Sequence, residues 1–228
     1  MSVSENIKSV RSGIALACDA SGRAADSVKL VAVSKTKPSS AIAEAHAAGQ
    51  IAFGENKVQE GVSKIAELGR AGFEWHLIGH LQKNKARAAI LNFDVLQAID
   101  SHVLAERLNR IAFEESVRPK IFLQVNPAEE ASKSGVTLAN GFETALEISR
   151  MEHLVFAGLM TIPPFFADIE LVRPHFRAVR ELRDRIADAG LFADGFAELS
   201  MGMSHDFGVA IEEGATIVRV GTAIFGGR

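Results

Sequence analysis

The chain has 228 residues, 47% hydrophobic and 23% charged, with a formal net charge of −3. That length suits one α/β domain spanning 1–228 with a sizeable core, and with no basic surplus nucleic acid is not an expected partner. A single cysteine, Cys18, excludes an internal disulfide framework, and a polar N-terminus with no apolar run of membrane-spanning length predicts a cytoplasmic protein that binds no membrane.

Ile7, Val10, Ile14 and Leu16 recur at helical spacing, so the first twenty residues read as an amphipathic helix. Strand and helix patterns then alternate. Strands are predicted at Leu30–Val33, Ile51–Phe53, Trp75–Ile78, Val95–Ile99, Ile121–Val125, Val155–Met160, Glu198–Ser200 and Ile217–Val220. Helices are predicted at Ser39–Ala48, Val58–Leu68, Lys83–Leu91, Val103–Glu115, Gly141–Arg150, Ile169–Ala189 and Asp206–Glu213. Gly49, Gly69, Gly190 and Gly214 stand where helix C-caps belong. Eight strands alternating with helices predict a single (β/α)8 TIM barrel. An open doubly wound sheet fits the same alternation, but no GxGxxG follows the first strand. No long helix follows the eighth strand, and the N-terminal helix is expected to fill part of that gap.

Barrel active sites lie at the C-terminal ends of the strands. Those ends carry Lys35, Gly54-Glu55-Asn56, Gly79-His80, Asp100-Ser101, Asn126, Thr161, Ser200-Met201-Gly202 and Gly221-Thr222. Lys35 follows the apolar run Leu30-Val31-Ala32-Val33 and stands at the rim of a hydrophobic sheet. Desolvation there favours a neutral amine, which a Schiff-base lysine requires; the plainer reading is a strand-end lysine that snorkels to water.

The last thirty residues add a second cluster. Barrel phosphate sites are built by the loops after strands seven and eight. Here those loops supply Ser200, Gly202 and Ser204, then Gly221 and Thr222, a cradle of glycines and hydroxyls with no basic residue. Arg219 interrupts the apolar strand before it. It is either a buried ion pair with a neighbouring strand's carboxylate or a ligand contact in the barrel mouth. Ser204-His205-Asp206 reads as a helix N-cap rather than a triad, because triads are assembled in space. His76 and His80 fall on a strand and its loop, which does not suit a metal pair, and Lys83, Lys85 and Arg87 read as a solvated helix face.

These stretches resemble the pyridoxal phosphate homeostasis protein family (YggS/PROSC), whose fold is similar to the barrel domain of alanine racemase. The resemblance runs through VAVSKTKP at 31–38, FGENKVQE at 53–60, WHLIGHLQKNK at 75–85, KSG at 133–135, GLMTIPP at 158–164 and LSMGMSHDFGVAIEEGATIVRVGTAIFG at 199–226. It implies that Lys35 carries pyridoxal 5′-phosphate (PLP) as an internal aldimine. It also implies that Arg219 faces the pyridine nitrogen, and that Ser200, Gly202, Gly221 and Thr222 hold the phosphate. Asn56 and His80 fall in pocket-lining motifs. Lys57 departs from the pattern, standing where many relatives have tyrosine.

The family is regarded as an intracellular PLP carrier and regulator without an established catalytic reaction. A monomer is therefore expected, with PLP-dependent apo-enzymes as recipients. Two alternatives use the same lysine: a PLP-dependent amino-acid racemase, and a cofactor-free Schiff-base aldolase acting on sugar phosphates. The racemase reading calls for a second base, which in the resembling enzyme is a tyrosine from a second domain; this chain ends with the barrel and contains no tyrosine. Lys133, in the AEEASKSG stretch, is expected to assist PLP entry or exit as a second amine.

Overall fold

The computed structural model describes residues 2–130, 133–190, 192 and 196–227. Ala131 and Ser132 of the AEEASKSG stretch lie outside them. Eight strands, β1 (Lys29–Val33), β2 (Ala52–Glu55), β3 (Glu74–Leu77), β4 (Val95–Ile99), β5 (Lys120–Val125), β6 (Val155–Thr161), β7 (Glu198–Ser200) and β8 (Ile217–Val220), form a closed barrel. Each pairs in parallel with the next, and β8 closes on β1 through Leu30 with Val218 and Ala32 with Val220. The (β/α)8 reading of the alternation is the observed fold.

The helices are α1 (Val3–Ala20), α2 (Ser39–Ala47), α3 (Val58–Leu68), α4 (Ala86–Asn92), α5 (His102–Glu114), α6 (Leu138–Ile148), α7 (Arg173–Asp188), α8 (Phe207–Glu212) and α9 (Thr222–Phe225). α1 starts at a capping box in which Ser2 and Glu5 satisfy each other's backbone N–H. It buries Ile7, Val10, Ile14 and Cys18, and packs against α2, α8 and α9. It thus covers the side of the barrel where no long helix follows β8. Asn6 Nδ2 donates to Ile224 O at 2.8 Å and fixes it there. Gly49, Gly69, Gly190 and Gly214 all adopt positive φ at or just beyond helix ends.

Several boundaries differ from the sequence reading for local reasons. Ile169–Ala189 divides into a 3₁₀ turn, Ile169–Val172, and then α7. Pro174 lacks an N–H and is tolerated only in a helix's first turn, so the α-helix begins just before it, at Arg173. Lys83–Leu91 likewise divides into the 3₁₀ turn Lys83–Lys85 and α4. α6 starts at Leu138, ahead of the expected Gly141, because Thr137 Oγ1 accepts from Asn140 N at 3.2 Å. β2 runs past Phe53 to Glu55, while Ile51 is exposed. At Gly54 an added Cβ would lie 3.0 Å from Val31 Cγ1 and 3.1 Å from Ile78 Cδ1, so any larger residue there must push these two side chains aside.

Apolar side chains fill two regions. The larger lies between barrel and helices; the smaller, with Val31, Val95, Phe122, Met160 and Ile217, lies inside the barrel. The interior is not purely apolar. His76, Gln97 and Ser200 are fully buried and Arg219 nearly so. No helix among the described residues is long and apolar enough to cross a membrane.

Candidate functional site

A cavity of about 520 Å³ opens among the loops at the C-terminal ends of the strands, a size typical of small-molecule sites (roughly 300–1,000 Å³). Lys35, Asn56, His80, Arg219, Gly221 and Thr222 line it. The barrel topology brings together these six residues from β1, β2, β3 and β8, as strand-end residues in such a fold should be.

Lys35 is partly buried, and among the described residues its amine makes no hydrogen bond or ion pair. The backbone on either side of it is pinned. Lys64, on α3, donates to Ser34 O at 2.8 Å and to Glu55 Oε1 at 2.8 Å. Ser34 Oγ donates to the same Glu55 oxygen at 2.6 Å. Thr36 has φ +64°, an unfavourable conformation for a β-branched residue. Its N–H is held by Glu60 Oε1 at 2.5 Å, and Glu60 is itself paired with Lys64 at 2.7 Å. Burial pushes the Glu55 carboxyl up despite the opposing hydrogen bonds from Lys64 and Ser34.

Arg219 reaches the cavity from inside the barrel. Its guanidinium donates to Ser200 Oγ at 2.6 Å and to Thr161 O at 2.8 Å. No carboxylate among the described residues is within ion-pair distance of it, so the buried ion pair considered for this residue is not formed. Burial lowers its pKa to about 10, against the attraction of Asp206, and it stays a cation at neutral pH.

The phosphate-like cradle differs in detail from the sequence reading. Ser200 and Gly202 do not line the cavity. The Ser200 hydroxyl is turned into the barrel, where it donates to Gln97 Oε1 at 2.6 Å and accepts from Arg219. Gly202, at φ +93°, sits where a Cβ would meet Ala210 Cβ at 2.6 Å, so its role in this structure is a tight turn. Ser204, partly buried, lines the cavity instead. Gly221 N–H and Ala223 N–H point at its hydroxyl from 3.4 and 3.5 Å. Asp206 stands at the N-cap position of α8 as expected, but its side chain makes no capping hydrogen bond: Oδ1 accepts from Met203 N at 2.6 Å, within the preceding turn.

His80 is exposed at the rim, with Nδ1 3.1 Å from Asp100 Oδ2 and 3.3 Å from Ser134 Oγ. Lys133, next in sequence to Ser134, also lines the cavity and is paired with Glu130 at 3.0 Å. Lys57 is exposed at the start of α3 and does not line the cavity. Gln124, Ile78, Ile162 and Met203 also line the cavity without being singled out in the sequence, as does His205, which the sequence reading weighs only within Ser204-His205-Asp206. Gln124 could have been: it shares strand parity with Phe122, which points into the barrel.

The donor set fits a phosphorylated aldehyde. Lys35 offers a free primary amine, Gly221, Ala223, Ser204 and Thr222 offer neutral donors, and Arg219 offers a buried cation. The close approach of Gly221 to Val33, where a Cβ would lie 3.2 Å from the Val33 carbonyl oxygen, keeps that backbone accessible.

Comparison with known proteins agrees with this geometry. Residues 8–228 match the model of the alanine racemase N-terminal domain family. The pyridoxal phosphate homeostasis protein of Vibrio alginolyticus is 45% identical over 100% of this chain and 98% of its own. That of Escherichia coli K12 is 44% identical over 99% of this chain and 97% of its own. The structure of PipY from Synechococcus elongatus PCC7942, solved with PLP bound, superposes with a TM-score of 0.86 at 39% identity and covers 98% of this chain and 100% of its own.

Proposed function

The chain belongs to the pyridoxal phosphate homeostasis protein family, with the barrel of the alanine racemase N-terminal domain, and on that premise we propose that it binds PLP through Lys35 and serves intracellular PLP homeostasis. The observation that carries the reading is the convergence of an unpaired lysine amine, a buried arginine and a glycine-rich donor patch on one cavity. When bound, PLP supplies an aldehyde that condenses with a primary amine, releasing water.

Lys35 is the amine. Its neighbours Ser34 and Thr36 are fixed by Lys64 and Glu60, so the side chain projects from a rigid base. Gly221, Thr222 and Ser204 bind the phosphate, with the Gly202 turn shaping their loop. Arg219 donates to the pyridine nitrogen, and Ser200 supports Arg219 from within the barrel. Asn56 and His80 close the sides. The open mouth admits small amines and water, which suits exchange of the cofactor with recipient apo-enzymes.

The test is an absorption spectrum of the purified protein before and after borohydride, followed by peptide mapping. The expected result is a visible band that borohydride abolishes, with the cofactor fixed on the peptide containing Lys35. Label on another lysine alone overturns the assignment.

A further inference from the structure

Arg219 is the first member of a polar chain that runs down the barrel interior and away from the cavity. Its N–H groups can only donate, so Ser200 Oγ, 2.6 Å away, must accept. The single Ser200 proton then goes to Gln97 Oε1 at 2.6 Å. That orients the Gln97 amide, and its Nε2 donates to His76 Nδ1 at 2.8 Å. With Nδ1 accepting, the neutral ring carries its proton on Nε2, which lies 3.1 Å from Glu74 Oε1 in a bent contact. Glu74 is held in turn by Lys29 at 2.8 and 2.9 Å, at the N-terminal end of the barrel.

The donor direction is therefore the same at each of the three hydrogen bonds from Arg219 to His76, and it is set by a guanidinium that cannot accept. The middle members, Ser200, Gln97 and His76, have no exposed surface, so water cannot substitute for a lost partner. Burial lowers the His76 pKa, which keeps the ring neutral and able to accept at Nδ1. None of this is needed to close a barrel, whose interior is ordinarily filled by branched apolar side chains.

We propose that Gln97 is a positioning residue for the cofactor site: by fixing the Ser200 hydroxyl as an acceptor for Arg219, it sets the direction in which Arg219 presents its donor to the pyridine ring. The inference rests on the PLP-binding reading above. Gln97 does not itself line the cavity, and its hydrogen-bonded route to it runs through Ser200 and Arg219.

The experiment compares affinities for PLP and for its carbocyclic analogue, in which CH replaces the pyridine nitrogen. The ratio of the two isolates the contact to that nitrogen. In the unmutated protein PLP should bind more tightly by about ten-fold, as expected for a hydrogen bond to a charged group. Arg219→Leu should abolish the ratio. Gln97→Met should reduce it to within about two-fold of unity and shift the absorption maximum of bound PLP. Ser200→Ala, which removes the same link with little change of volume, should do likewise and serves if Gln97→Met does not fold. An unchanged ratio in Gln97→Met or Ser200→Ala, or equal losses for both ligands, overturns the inference while leaving the PLP reading intact. Failure of the unmutated protein to bind PLP overturns the reading and the inference together.

Discussion

Lys64 Nζ lies 2.8 Å from the carbonyl oxygen of Ser34, one residue before the lysine that carries the site. The same ammonium neutralises Glu55, a fully buried carboxylate whose second oxygen has no hydrogen-bond partner among the described residues. Lys64 is itself only 6% exposed, so both charges depend on one another. Removing one partner of a buried pair strands the other, at a cost of about 3–5 kcal/mol. Lys64→Met should therefore lower unfolding free energy by about that amount, read by chemical denaturation.

The loss in Lys64→Met should depend on pH in a definite direction. Burial already raises the Glu55 carboxyl, and removing Lys64 takes away its main counterweight. A carboxyl raised in the folded state contributes stability below its unfolded pKa, and that contribution disappears as pH rises through the folded value. The gap between variant and wild type should widen from pH 5 to pH 8. A gap that narrows over that range would show Glu55 is not the stranded charge.

Glu74 should behave oppositely. Hydrogen bonding from His76, against burial and with help from Lys29, holds its pKa at about 2. A depressed carboxyl contributes stability above its unfolded pKa, and that is lost as pH falls towards the folded value. Stability should decline between pH 5 and pH 2, and Glu74→Gln should flatten part of that slope. Equal slopes in the two proteins would remove Glu74 from the account.

Much of this was legible in the sequence, and the parts that were not share a physical cause. Val95–Ile99 and Ile217–Val220 match the sequence reading to the residue because short, mostly apolar runs between turn signals read as buried strands. A strand buried on both faces shows no alternation, however, so Gln97 gave no sign of facing inward. Ser200 was assigned by its loop neighbours, whereas its hydroxyl direction depends on Arg219 and Gln97 across the barrel. Lys64 looks like any lysine on an amphipathic helix; only the fold puts Glu55 beneath it. Lys35 and Arg219 stood out because a charge at or inside an apolar strand is rare enough to need a reason.

Thr222 and Ser204 provide a test of the phosphate subsite. Both line the cavity, and Ser204 faces the N–H groups of Gly221 and Ala223. A hydrogen bond to a charged group contributes roughly 1.5–3 kcal/mol. Thr222→Val and Ser204→Ala should each weaken PLP by about ten-fold or more while leaving pyridoxal, which lacks the phosphate, nearly unaffected. Equal losses for both ligands would place the phosphate elsewhere.

The final expectation concerns catalysis at the α-carbon of amino acids. Racemisation removes a proton from one face and returns one to the other, so two positioned bases are required, and losing one typically costs on the order of 10²–10⁴ in rate. Lys35 can serve one face. The sequence contains no tyrosine, and the candidate replacement, His80, sits exposed at the rim and is engaged with Asp100 and Ser134. The electronics oppose the reaction as well. Arg219, with a pKa of about 10, stays protonated, and in the proposed binding mode it would donate to the pyridine nitrogen without giving up its proton. The ring nitrogen then carries no positive charge, and negative charge developing at the α-carbon is poorly stabilised. The neutral, buried His76 cannot supply that charge from below, since its ring faces Gln97 and Glu74 rather than the cavity. Exchange of bound PLP with small amines should therefore outrun chemistry at the α-carbon. Incubation with L- and D-amino acids in heavy water should show α-deuterium incorporation well below about 1 s⁻¹, the lower end of ordinary enzyme turnover. Incorporation at or above that rate with any common amino acid would make this barrel an enzyme in its own right and would require a second base that the cavity wall does not identify.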